Sequence, residues 1–435
     1  MKKYVILLFV VLLGLAWFSA GSDMVNDPIK AKEHMEKAAE LEEKGIYVDA
    51  VTEYESALEY EPDSEELYMK MAEAYLKSGD SREFISICED TAEKYQDNTH
   101  AMDSLMDYYT ENGDEEEAVK YLKDFLEEYP DNKNAQEWFT QLEGSYTELY
   151  CRYETMGEIV NNSMVVSDDG LYGLTDATGS EVIPCEYKEL YPFSEEGFAL
   201  ARTEDNRWIY IDEDDQIRKA PDSEYGKLGM YTEDGTAAEK DGKYGYLDEN
   251  MEPAGKFQWE ELTGLKEGTG AGQKDGEWSL VNKKGKAKGE ERYEDVITDA
   301  FGFCSAQKRI FVKTGDGYQM INTKGEQIGE LTFDDARAFT EEGYAAVCKD
   351  GKWGFADSDG ELVIDYTYEN AESFRNGFAP VSSGGKWGYI NEEGTMVIQP
   401  EFLEATHISE EGTAAVMTEQ QGENVWKLLQ LNLFQ

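Results

Sequence analysis

The sequence predicts a multidomain protein of the α plus β class. It begins with a hydrophobic helix, continues as an α-solenoid and ends in an all-β repeat array. Three observations predict this layout. An aromatic residue followed four positions later by Asp or Asn recurs seven times in the C-terminal two thirds, glycines recur every 34 residues in the N-terminal third, and the first twenty residues are mostly apolar. Fixed periods of this size are typical of repeat proteins, whose units bury their apolar faces against one another.

Seven aromatic residues, called anchors here, set the register of the C-terminal array. They lie 34 to 40 residues apart, which allows about three short strands and their turns per unit. In five of the seven units the paired Asp or Asn starts Asp/Asn-x-x-Gly, a hairpin signal in which the side chain caps its own turn. The anchors are Tyr172, Trp208, Tyr244, Trp278, Tyr318, Trp353 and Trp387, and their partners are Asp176, Asp212, Asp248, Asn282, Asn322, Asp357 and Asn391.

A second aromatic and a small-residue strand complete each unit. The second aromatic follows the anchor by fifteen residues in six units and lies near that place, at Tyr225, in the other. Most units then close with a Gly-x-Ala strand, as at 343–345, whose small residues leave room for the anchor of the next unit. Trp426 is followed by Gln430 instead of Asp or Asn, which predicts a strand that completes or caps the array. We therefore expect seven full units and a closing segment.

The motif around two anchors resembles a known repeat. Residues 352–357 and 386–391 read Lys-Trp-Gly-apolar-apolar-Asp/Asn, which is the signature of the WG repeat family, also called KWG repeats. Residues 243–248 are close to it, and the copies at Trp208, Trp278 and Tyr318 are degenerate. The resemblance covers residues 155–435. It implies a β-repeat module, propeller-like, with no catalytic residue attached to the motif, and an open β-solenoid is the alternative.

The N-terminal period has the spacing of paired helices. Pro62 and Pro130 lie 68 residues apart, twice the glycine interval, and apolar residues between them follow helical spacing. This resembles the tetratricopeptide pattern over residues 31–145, in which Gly separates two antiparallel helices and Pro ends the second. Residues 134–139 predict a capping helix, and we expect 144–157 to be a continuous helix or a flexible tether. The repeated glycines are Gly45, Gly79 and Gly113.

The first residues predict export. Lys2 and Lys3 precede a mostly apolar run of seventeen residues that ends at Ala20. We expect residues 1–22 to be a signal anchor that spans the membrane or a signal peptide that is removed. With the lysines inside, the rest lies outside the cytoplasmic membrane. The expected location is therefore the cell membrane with the bulk extracytoplasmic, and secretion after cleavage is the alternative.

The charge excludes strongly anionic partners. The chain has 93 acidic and 40 basic residues and a formal charge of −53, so it repels nucleic acid and anionic lipid headgroups. We interpret the acidity as solvated faces and turns, with capture of a cation or a basic partner as the alternative. Acidic clusters at 212–215 and 357–361 do not form helix-loop-helix calcium sites, because their twelfth positions hold Ser223 and Tyr368 instead of Glu.

No residue pattern predicts chemistry, so we expect no catalytic, cofactor-binding or metal-binding residue and no cofactor. The three histidines are isolated in the sequence, without a set of neighbouring ligands. The five cysteines form no C-x-x-C pair, so buried free thiols are expected at Cys88 and Cys348, and one disulfide stays open. These residues are His34, His100, His407, Cys88, Cys151, Cys185, Cys304 and Cys348.

These expectations combine into a function. The sequence favours a non-catalytic interaction or scaffold protein of the bacterial cell envelope, which binds a protein, a peptide or an envelope glycan through its repeats. The N-terminal helix would be its only contact with the membrane. A glycan-acting enzyme of the envelope and a cell-wall-binding anchor are the alternatives.

Overall fold

The computed structural model describes residues 27–221 and 225–434. The chain divides after Phe139 into two compact units. The predicted signal anchor at 1–22 lies outside the described residues. Of the helices that are described, none has the length and apolar character needed to cross a membrane.

The first unit is built from α-helices in antiparallel pairs. Its core contains small and aromatic residues at helical spacing, such as Ala50, Tyr54 and Ala57, which are all buried. Gly79 and Gly113 adopt left-handed backbone angles that end the third and fifth helices, as the sequence predicts. The helices of the described chain are α1 (Pro28–Glu43), α2 (Tyr47–Leu58), α3 (Glu65–Ser78), α4 (Ser81–Lys94), α5 (His100–Asn112), α6 (Glu115–Glu128) and α7 (Lys133–Glu143).

The second unit is all β. Its described strands form eight antiparallel sheets of three or four strands, which we call blades one to eight. The first four blades contain β2 (Thr155–Val160), β3 (Ser163–Asp168), β4 (Leu171–Thr175) and β5 (Glu181–Tyr187); β6 (Glu189–Phe193), β7 (Ala199–Arg202), β8 (Trp208–Ile211) and β9 (Ile217–Lys219); β10 (Lys227–Leu228), β11 (Thr236–Lys240) and β12 (Lys243–Leu247); and β13 (Glu261–Leu262), β14 (Gly270–Lys274) and β15 (Glu277–Val281).

The last four blades have the same plan, and the eighth also includes β1, the first strand among the described residues. They contain β16 (Asp295–Val296), β17 (Arg309–Thr314), β18 (Gly317–Asn322) and β19 (Gln327–Phe333); β20 (Asp335–Ala336), β21 (Tyr344–Lys349), β22 (Lys352–Asp357) and β23 (Leu362–Tyr368); β24 (Asn370–Ala371), β25 (Phe378–Ser383), β26 (Lys386–Asn391) and β27 (Met396–Phe402); and β28 (Glu404–Ala405), β29 (Thr413–Gln420), β30 (Glu423–Leu431) and β1 (Tyr146–Leu149).

The sequence spacings correspond to strand register. Trp353 pairs with Tyr368 and Trp387 pairs with Phe402, so the fifteen-residue interval joins residues that face each other on neighbouring strands. The predicted hairpin turn is confirmed at Asp357, whose Oδ1 accepts hydrogen bonds of 2.9 Å from two backbone N–H groups of its own turn. Each turn is thus closed by the side chain that starts it.

Apolar clusters lie between consecutive blades, as expected for repeats that cannot fold alone. The predicted contact between anchor and small residue exists, but with a different partner. Trp353 packs with Ala379, and Tyr318 packs with Ala345. Each alanine belongs to the sequence unit that its anchor begins, because one sequence unit extends over two blades.

The array closes into an eight-bladed β-propeller. Strand β1 pairs with β30, and an apolar cluster that includes Met164 and Leu428 joins the first blade to the eighth. This decides between the closed ring and the open solenoid. The expected helix or tether at 144–157 was wrong, because Tyr146–Leu149 forms the outer strand that completes the eighth blade.

Candidate functional site

The innermost strands of the blades surround a cavity of about 1010 Å³. Every blade contributes residues of the segment that joins its innermost strand to its second strand, and we call the turn at the end of this segment the inner turn. The cavity therefore lies at the centre of the ring. The lining residues fall within 158–162, 194–196, 230–234, 265–267, 298–306, 337–342, 372–376 and 405–411.

The inner turns share one geometry. In six blades the turn contains a glycine with positive φ, which an L side chain rarely adopts. We call the residue two places before this glycine position one, and the next residue position two. In blade five Ala306 and Gln307 occupy these places, and in blade one Val160 and Asn161 do. Position one in the remaining blades is Glu195, Glu233, Lys266, Glu341, Arg375 and Glu410.

Position two holds neighbouring blades together. Its side chain makes a hydrogen bond to the next blade at all seven junctions from blade one to blade eight, so these polar residues have a structural role. The bonds join Asn161 Nδ2 to Phe193 O (2.8 Å), Glu233 N to Glu196 Oε1 (2.9 Å), Gly268 N to Asp234 Oδ2 (2.9 Å), Lys308 N to Glu267 Oε2 (2.8 Å), Gln307 Nε2 to Glu341 O, Asn376 N to Glu342 Oε1 (2.9 Å) and Asn376 Nδ2 to Ile408 O (2.8 Å).

The cavity is more acidic than the chain as a whole. Of its 38 lining residues, 12 are Asp or Glu and three are Lys or Arg, whereas the chain has 93 acidic residues among 435. Average composition therefore does not account for the acidity of the wall. A concave surface lined by one sign of charge focuses the electrostatic field and attracts ligands of the opposite sign.

Lys266 connects two walls of the cavity. Its Nζ lies 3.0 Å from Glu341 Oε1 and 3.4 Å from Glu195 Oε1. Burial lowers the pKa of Lys266, but hydrogen bonds and attraction to these two carboxylates outweigh burial and raise the pKa above its ordinary value. The side chain is therefore a cation held by acids of blades two and six.

A second ionic cluster lies where the ring closes. His407 of blade eight places Nδ1 2.5 Å from Glu158 Oε1 of blade one, and its Nε2 lies 2.8 Å from the Ser373 carbonyl. Arg375 Nη1 donates to the same Glu158 oxygen at 3.0 Å. Burial raises the pKa of Glu158, but attraction and hydrogen bonding to His407 and attraction to Arg375 outweigh burial and lower it. Both imidazole nitrogens of His407 are thus engaged within the protein, so neither is free to contact a ligand.

The charges of the cavity are not all neutralised. Arg337, the third basic residue of the wall, donates to Glu372 at 3.1 Å, so each Lys or Arg of the wall is already paired with a carboxylate. Within the described ranges, the side chains of Glu233 and Glu410 make no hydrogen bond or ion pair. These two position-one carboxylates are available to an external cation.

The acidic clusters singled out from the sequence lie elsewhere. Asp212 and Asp357 cap turns between the outer strands of their blades, and Asp212 also pairs with Arg218. His34 lies in the first unit, 2.6 Å from Glu53. The five cysteines are free thiols, as expected for Cys88 and Cys348. One exposed group of three carboxylates, within 4.8 Å of one another, occurs among the residues described: Glu154, Asp168 and Asp169.

The sequence contained a signal for the cavity that the anchor pattern obscured. Ser/Thr followed by two acidic residues and Gly occurs at 194–197, 232–235, 340–343 and 409–412, each time just before a closing strand. These are four of the inner turns. His407 and Glu158 gave no such signal, because they are 249 residues apart and meet only when the ring closes.

The family comparisons agree with this architecture. Residues 172–208, 320–353, 353–387 and 387–420 match the family described as WG containing repeat. Residues 41–107 and 101–132 match two families described as tetratricopeptide repeat. The chain contains WG repeats and tetratricopeptide repeats. This confirms both resemblances, and each matched WG repeat runs from one blade into the next.

Three solved structures illustrate the likeness to other proteins. A crystal structure of the eukaryotic initiation factor has 10% identity over 66% of this chain and 88% of that chain, with a TM-score of 0.43. PorZ, a surface component of the type-IX secretion system of Porphyromonas gingivalis, has 12% identity over 65% of this chain and 45% of its own, with a TM-score of 0.36. The β-propeller domain of Cps50 (Swd1) from Myceliophteria thermophila has 12% identity over 56% of this chain and 96% of its own, with a TM-score of 0.32. No curated protein matches the WG-repeat chain.

Proposed function

We propose that this protein is a non-catalytic scaffold of the bacterial cell envelope, and that its propeller binds a positively charged segment of a partner protein in the central cavity. The observation that carries the proposal is the excess of carboxylates on the cavity wall, 12 against three Lys or Arg. Glu233 and Glu410 add to it because both are exposed and lack an internal partner.

The size of the cavity favours a segment over a folded domain. About 1010 Å³ is at the upper end of the range for binding pockets in proteins, roughly 300 to 1,000 Å³. Such a volume accommodates a few side chains of an extended peptide. Opposite charge on the two partners raises the association rate and rejects acidic competitors.

The tetratricopeptide unit supplies a second interaction module. Helical repeats of this kind offer an extended surface to a peptide or a partner domain. A protein with two such modules brings two partners together, which is the meaning of scaffold here. Its partner in the envelope is proposed to be a protein.

The glycan-binding alternatives have less support. Sugar binding commonly uses exposed aromatic rings, whereas Trp278, Tyr318 and Trp353 are buried between blades. The imidazole of His407 is engaged at both nitrogens, so it is not a ready general base. Turnover of envelope glycan by the purified protein, lost on changing one acidic pair, would overturn the non-catalytic proposal.

The envelope location rests on the sequence of residues 1–22. Two lysines followed by seventeen mostly apolar residues favour export of the rest of the chain. Protease should digest the repeats when it is added to cells whose outer layers have been removed but whose cytoplasmic membrane is intact. Full protection of the chain until the membrane is lysed would contradict the proposed location.

The binding proposal is tested by titrating the purified full chain with a lysine-rich peptide. Affinity should fall as salt concentration rises, because the contacts are exposed ion pairs. The double variant Glu233→Gln, Glu410→Gln should bind about tenfold more weakly, since each exposed pair contributes up to about 1 kcal/mol.

A matched control separates the site from total charge. The double variant Glu213→Gln, Asp214→Asn removes the same charge from an exposed outer turn of blade two. It should bind as the wild type does. An equal loss of affinity in both double variants would mean that the peptide senses only the net charge.

A further inference from the structure

The ammonium group of Lys266 joins opposite sides of the ring. Glu195 belongs to blade two and Glu341 to blade six, which are four positions apart in a closed ring of eight. Lys266 comes from blade four, midway between them. A cation is therefore already bound by both walls, and it comes from the protein itself.

The two ion pairs are suited to exchange. The side chains of Glu195 and Glu341 keep 75% and 64% of their exposure, and that of Lys266 keeps 30%. Exposed pairs of this kind contribute little to stability, so an incoming ammonium group replaces the internal one at small cost. Lysine also has a flexible stem that allows its head group to swing away.

We propose that Glu195 and Glu341 form a subsite for a primary ammonium group, which Lys266 occupies in the free protein and a lysine side chain of the partner takes over. An ammonium group has three N–H donors, and both carboxylates accept hydrogen bonds from it. Lys266 then acts as an internal competitor that weakens binding. This inference rests on the proposed function, because it identifies the chemistry of the same cavity.

The test is a titration of the full chain with a tetralysine peptide. Lys266→Met removes the internal ammonium group and keeps the length of the stem, so it should bind the peptide about tenfold more tightly. Lys308→Met is the matched control, because it removes one positive charge from an inner turn outside the cavity wall. It should change the affinity by less than twofold.

A second peptide tests hydrogen bonding in the subsite. Trimethyllysine keeps its positive charge but has no N–H donor. The trimethylated peptide should therefore bind Lys266→Met at least tenfold more weakly than tetralysine does. In the Lys266→Met background, Glu195→Gln and Glu341→Gln should each remove most of the gain in affinity.

The outcomes separate the two proposals. If neither the wild type nor Lys266→Met binds tetralysine, the proposed function and the subsite both fail. If the wild type binds tetralysine but the affinity of Lys266→Met rises no more than that of Lys308→Met, only the subsite fails. Equal binding of both peptides by Lys266→Met would also overturn the subsite.

Discussion

Trp353 lies directly opposite Tyr368 on the neighbouring strand of the sixth blade. Its ring is 7% exposed and packs with Ala379 of the seventh blade. The guanidinium of Arg337, which lines the cavity, lies 4.4 Å from the centre of the same ring. The repeated aromatic therefore supports the sheet, the blade junction and the cavity wall together.

Replacement of this ring tests its role in packing. Trp353→Ala should lower the free energy of unfolding of the propeller by about 3–5 kcal/mol, because it leaves a cavity between two blades. Tyr172→Ala is the matched control at the same repeat position, since Tyr172 is 36% exposed. Urea unfolding of the full chain should show a large change in midpoint for Trp353→Ala and a small one for Tyr172→Ala. Equal midpoints would contradict the packing role.

Closure of the ring by β1 gives a second prediction. Asn432 N donates to Ser145 O at 2.9 Å, and hydrogen-bonded pairs alternate in an antiparallel ladder, so Thr147 and Gln430 form the next bonded pair. Thr147→Pro removes the donor and should cost about 1–3 kcal/mol. Thermal unfolding of the propeller should occur at a lower temperature.

The neighbouring position is the control for this change. Glu148 belongs to the non-bonded pair with Leu429, so its N–H faces away from β30, and no strand lies on that side because β1 is the edge strand of its blade. Glu148→Pro should therefore have a smaller effect, although it also loses the exposed pair with Lys427. If both proline variants melted alike, the closure by backbone pairing would be refuted.

Acid should weaken the cluster that joins the first and eighth blades. Attraction to His407 and Arg375 outweighs burial and holds the pKa of Glu158 below its ordinary value of 4.5. A carboxyl with a lowered folded pKa contributes stability above its unfolded pKa, and this contribution is lost as the pH falls through the folded value. At pH 6 the wild type should therefore have a higher melting temperature than Glu158→Gln, and this difference in melting temperature should shrink below pH 4.5. A difference in melting temperature that did not change with pH would contradict the prediction.

Thiol reactivity reports burial in both units. Burial raises the pKa of Cys88 to about 12 and that of Cys304 to about 11, so neither forms the reactive thiolate at pH 8. Cys151 is half-buried. In a labelling time course with iodoacetamide, Cys151 should react first, and Cys88 and Cys304 only after urea is added. Rapid labelling of Cys88 in the native protein would mean that the first unit opens readily.

The sequence predicted the repeats because local physics determines them. The spacing of Trp353 and Tyr368 corresponds to the register of two paired strands, and Gly79 marks the end of a helix. It predicted the closing strand around Trp426, which is β30, but it did not predict that β1 completes the eighth blade. Strand β1 carries no repeat motif, and it is separated from β30 by the whole of the β-repeat array in the sequence. The cavity was missed for the same reason, since its wall combines inner turns from residues 158 to 411.

The most direct test of the central claim is to locate a bound peptide on the full chain. A lysine-rich peptide that carries a photo-crosslinking group should attach to the inner turns around Glu233, Glu341 and Glu410, and Lys266→Met should increase the yield. Attachment to the outer turns around Asp212 and Asp357, with none at the inner turns, would contradict the account.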